Sequence, residues 1–86
     1  MALTFVERAF IPLAEGNTLV AFEITGDGTA TTVTAVQIKL NRVKFAFIIN
    51  IDEATPSVLS TNNGTTLTYG AAFESTKKVL LVAIGF

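Results

Sequence analysis

Apolar side chains in this chain recur at every second residue far more consistently than at every third or fourth. From Thr18 to Thr25, Val20, Phe22 and Ile24 take one side and Leu19, Ala21 and Glu23 the other, the alternation of a pleated strand. Leu3 to Ile11 predicts a second strand, with Phe5, Ala9 and Ile11 on one face and Thr4, Val6 and Phe10 on the other. Pro12 lacks a ladder donor and ends it, and Ala14 to Asn17 reads as the turn that follows. The strongest pattern runs from Arg42 to Ile51, where Val43, Phe45, Phe47, Ile49 and Ile51 form an unbroken apolar row. Its other face begins with Arg42 and Lys44, passes Ala46 and Ile48 and ends at Asn50, changing from wet to dry. On this pattern Phe5, Phe22, Phe45 and Phe47 are core residues.

Weaker signals fill the intervals. Gly26-Asp27-Gly28 is a flexible turn, followed by a threonine-rich strand from Thr29 to Ala35. Ala35 to Asn41 is read as a single helical turn that redirects the chain, and Asp52 to Ser57 as a loop in which Pro56 holds Thr55 extended. Asn62-Asn63-Gly64 lies between β-rich runs at Val58 to Thr61 and Thr65 to Tyr69, a strong hairpin signal. Gly70 to Thr76 is small and irregular. The closing stretch, Val79 to Phe86, is apolar on both faces of any strand it forms, which predicts cover on both sides. β-Branched residues dominate, and no window shows a capped 3.6-residue periodicity. The expectation is an all-β fold: a small antiparallel β-sandwich or barrel of about 6–7 strands with at most one short helical turn, one domain over residues 1–86.

Size changes this picture, because a domain this small buries only about 60% of its unfolded surface. A strand that needs cover on both faces therefore predicts burial against other copies, a homo-oligomer, or against a partner. Leu80, Val82 and Ile84 on that strand are the candidate contacts between chains. Phe10, Phe73 and Phe86 join them, since alternation does not account for these rings and aromatic anchors dominate interface energies. Charged residues make up 15% of the chain, and the net charge of −1 supplies no field to attract nucleic acid or an anionic membrane. The N-terminal segment, broken by Glu7, Arg8, Pro12 and Glu15, does not read as a signal peptide, and no apolar run is long enough for a transmembrane helix.

Candidate chemistry is sparse. Histidine, cysteine and tryptophan are absent, which excludes sulfur-built zinc sites and His-dependent triads. Of the seven carboxylates, Glu7 and Glu23 are the only sensible acid–base pair, and a solvated strand face accounts for them better. Gly26-Asp27-Gly28-Thr29 lacks the further oxygen ligands of a calcium loop and the following helix of a phosphate loop. Asp52-Glu53 reads as an exposed loop pair. Lys39, Arg42, Lys44, Lys77 and Lys78 read as charges that rim an interface or blunt a sheet edge. Asn63-Gly64-Thr65 matches the glycosylation pattern, but the hairpin turn explains it. The expectation is a protein that is not an enzyme and uses no metal or cofactor.

One resemblance bears on function. Thr25-Gly-Asp-Gly-Thr-Ala-Thr-Thr-Val-Thr-Ala35, Leu40-Asn-Arg-Val-Lys-Phe45 and Leu80-Leu-Val-Ala-Ile-Gly-Phe86 together resemble small, threonine-rich virion structural proteins from the head-gene region of tailed bacteriophages. The resemblance covers most of the chain after Leu19. It implies a capsid decoration or cement protein, assembled in the host cytoplasm and bound in many copies to the major capsid protein or another virion protein. A trimer would suit the local symmetry of such a shell. A small tail, collar or fibre-associated component is the alternative within the virion. A ligand-binding β-sandwich is the alternative outside it, although Tyr69 is its only tyrosine or tryptophan platform.

Overall fold

In the computed structural model, which describes residues 3–52 and 59–86, the alternation from Thr18 to Thr25 becomes a strand buried on one side. The chain order is β1 (Thr4–Pro12), a 3-10 turn (Ala14–Gly16), β2 (Thr18–Thr25), β3 (Thr32–Thr34), a second 3-10 turn (Val36–Ile38), β4 (Val43–Asn50), β5 (Leu59–Asn62), β6 (Thr66–Tyr69) and β7 (Lys78–Gly85). These strands form two antiparallel sheets, ordered β1-β2-β7-β4 and β3-β6-β5. The all-β architecture is the one the alternation predicts, and both 3-10 turns fall where turns were read. The expected loop around Pro56 lies outside the described residues.

The apolar closing stretch is β7, and it occupies the middle of the larger sheet between β2 and β4. A central strand pairs on both edges, so every other residue can be buried while its backbone is fully satisfied. Val79, Leu81 and Ala83 of β7, with Val20, Phe22 and Ile24 of β2, point inward and are buried. The smaller sheet closes over them with Val33, Leu67 and Tyr69. Ile38 from the second 3-10 turn and Phe73 from the β6–β7 connection complete this core.

Hydrogen bonds stitch the two sheets together at one corner. Val43 N–H donates to the Gly64 carbonyl (2.7 Å), and Asn62 Nδ2 donates to the Val43 carbonyl (3.4 Å). Beyond the end of β2, Gly26 N–H donates to Lys77 O (2.9 Å) and Gly28 N–H to Phe73 O (2.9 Å), tying the β2–β3 connection to the β6–β7 connection. A Cβ at Gly26 would stand 2.1 Å from the Glu74 carbonyl oxygen, so only glycine permits this approach.

Two irregularities reverse sequence expectations. The register of β1 against β2 shifts between Glu7 and Ala9, which rotates the second half of β1 by one residue. Phe5 and Phe10 therefore share the inward face, and Val6, Ala9 and Ile11 share the outward one. The register of β4 against β7 shifts between Val43 and Phe45. Val43 turns inward and is buried, whereas Phe45, Phe47 and Ile49 turn outward. The strongest apolar row in the chain is thus on the surface, and Phe45 and Phe47 are not core.

Candidate functional site: an uncovered apolar sheet face

The outward face of the four-stranded sheet can be built row by row from its register. The first row is Ile11–Leu19–Ile84–Phe45, the second Ala9–Ala21–Val82–Phe47 and the third Val6–Glu23–Leu80–Ile49, in the order β1, β2, β7, β4. Eleven of these twelve positions are apolar, and no described element covers them. Phe45 is 56% exposed and Ile49 49%. Phe45 and Phe47 contact one another edge to face, ring centroids 5.9 Å apart, so the surface is braced by an aromatic pair.

The face grades in size. β4 contributes two phenylalanines and an isoleucine, whereas the middle row ends in Ala21 and Ala9. Its single charge, Glu23, lies in the third row and is neutralised there. Arg8, the extra residue of the β1 bulge, donates to Glu23 Oε2 at 3.0 Å, and Lys78 Nζ lies 3.5 Å from Oε1. The Arg8 hydrogen bond is the main cause that holds the Glu23 carboxyl below the usual carboxylate range.

Among the residues singled out as contacts, Leu80, Val82 and Ile84 lie on this face. Phe86 follows Gly85 on the outward side by alternation, 46% exposed, with Lys44 Nζ 5.5 Å from its ring centroid. Phe10 is 47% exposed but lies on the inward side, paired with the buried Val20. Phe73 is 1% exposed and packs edge to face on Tyr69 at 5.0 Å, so it is core and drops out of the contact set. Alternation missed Phe73 because it sits in an irregular connection. The same pattern contained Phe45, Phe47 and Ile49, but an apolar row reads as core until the second layer is seen to lie on the other side.

The positions weighed for chemistry are spent on structure. Glu7 and Glu23 face opposite sides of the sheet, Glu7 pairing with Lys39 at 2.8 Å, so they share no cleft. Asp27 Oδ1 accepts from Ala30 N–H (2.8 Å), Thr29 N–H (2.9 Å) and Thr29 Oγ1 (3.3 Å). The two backbone bonds hold its carboxyl below the ordinary range and make it a turn cap. Asp52 accepts from Lys78 N–H, while Glu53 lies outside the described residues. Among the described residues there is no group of three or more metal-ligating side chains, no pocket, and no helix long and apolar enough to cross a membrane. No family model, curated protein or solved structure matches this chain.

Proposed function

We propose that this chain is a non-enzymatic structural protein that acts by apolar association, of the capsid decoration or cement kind. The uncovered face of β1-β2-β7-β4 carries this reading. Its footprint, three rows long and four strands wide, presents on the order of 600 Å² of apolar surface. The largest such patch on a typical soluble monomer is about 300–600 Å² and is often functional, and this face stands at the top of that range. Covering 600 Å² gives about 15 kcal/mol of gross burial, against an association cost of about 4–15 kcal/mol. The surplus over that cost sets the strength of one contact, and contacts between neighbouring copies on a repeating lattice add to it. Because the chain binds the assembled lattice and not its free subunit, each added copy stabilises the shell by linkage.

The test is on particles made by the cell that produces this chain. Quantitative mass spectrometry of purified particles should find the chain in many copies, and particles stripped of it should lose resistance to heat. Stripped particles should take up the wild-type protein and refuse Phe47→Lys. Particles that never contain the chain would end the virion reading.

A further inference from the structure

We infer that in the free protein the same outward face is closed by a second copy of this chain, as a two-fold dimer with the larger sheets stacked face to face, which opens where the face meets a lattice. The inference rests on the reading of this face as an association surface and names its first occupant. Three observations favour a second copy over a dissimilar partner. The face is an open sheet surface without a pocket, which suits sheet-on-sheet packing better than a helix or a small ligand. Its area of roughly 600 Å² approaches the ~800 Å² that each partner gives to a stable standard-size interface.

The third observation is the size gradient. A two-fold axis parallel to the strands, passing between β2 and β7, lays β4 of one copy over β1 of the other. The middle row then meets its own reverse: Phe47 stands over the second copy's Ala9, and Val82 over the second copy's Ala21. Large residues oppose small ones along the whole row, the condition for two layers to interdigitate without voids. In the first row Phe45 meets the second copy's Ile11. Toward one end of the face, Glu23 of the third row is paired with Arg8 of the β1 bulge and with Lys78, and these charges form a polar rim. A net charge of −1 per copy adds little repulsion between two copies.

Light scattering of the wild-type protein over a wide concentration range should give the mass of a dimer. Phe47→Lys should give a monomer with an unchanged circular dichroism spectrum, since Phe47 is not core. Phe47→Ala should weaken the dimer by about 10–100-fold. Ala9→Phe should also weaken it by crowding, and the double variant Phe47→Ala/Ala9→Phe should recover most of the loss by exchanging the sizes. Val36→Lys, on the exposed second 3-10 turn, should leave the dimer intact. A monomer at every concentration, a trimer, or a dimer that survives Phe47→Lys overturns the inference. A monomer that still occupies particles removes the second copy alone, whereas a dimer absent from particles removes the virion reading alone.

Discussion

Tyr69 is the residue at which burial has the clearest cost. Its ring packs on Phe73 in the core, and its buried hydroxyl finds no hydrogen-bond partner among the described residues. Burial pushes its pKa well above the ordinary phenol value. A folded-state pKa raised in this way leaves stability intact below the unfolded value near 10, and stability is lost as pH rises beyond it. Tyr69 is the only tyrosine and there is no tryptophan, so near-ultraviolet phenolate absorbance reports this one group. The expected titration shows no phenolate at pH 10 in the folded protein, followed by ionisation together with unfolding. Tyr69→Phe should equal the wild type in stability at neutral pH or exceed it by up to about 1 kcal/mol, because it removes an unsatisfied buried hydroxyl. It should also lessen the alkaline loss. A normal phenolate midpoint without unfolding would show that Tyr69 is wet.

At the scale of elements, the seam between β7 and β4 is the tightest. Gly85 is buried where β7 passes Arg42, and a Cβ there would stand 2.0 Å from the Arg42 carbonyl oxygen. That oxygen already accepts from Phe86 N–H at 3.0 Å, so it has little room to withdraw. Gly85→Ala should therefore cost about 2–3 kcal/mol by overpacking, read as a lower urea midpoint with the slope unchanged. The β5–β6 hairpin was legible because its chemistry is local. Asn63 Oδ1 accepts from Thr65 N–H (3.0 Å) and Thr66 N–H (2.8 Å), and Gly64 adopts a φ of +94°. β2 was legible because its alternation is unbroken. The faces of β1 and β4 were not, since a one-residue bulge moves every later side chain to the other side and leaves no mark in a hydrophobicity pattern.

For the whole molecule, the outward face was half legible. Leu80, Val82 and Ile84 were visible in the sequence as residues in need of cover. Which second surface they would share depends on the sheet order, and the β1-β2-β7-β4 arrangement placed them beside Phe45, Phe47 and Ile49. If two copies close on that face, unfolding is coupled to dissociation, and the thermal midpoint must rise with protein concentration. Calorimetry at several concentrations should show this for the wild type and not for Phe47→Lys. A midpoint that ignores concentration in both would mean that folding is complete in the single chain.

The position of β7 also bears on how the protein is made. β1 and β2 are neighbours in sequence and can pair as they leave the ribosome, as can β5 and β6. β2 and β4 are different: each waits for β7, the last of the seven strands to be synthesised. Until then the nascent chain carries two open strand edges and most of the apolar surface that β7 will join. The larger sheet is therefore completed only after β7 has been made, in one late insertion between strands already present. Nascent chains stalled before Lys78 should be the ones that chaperones retain.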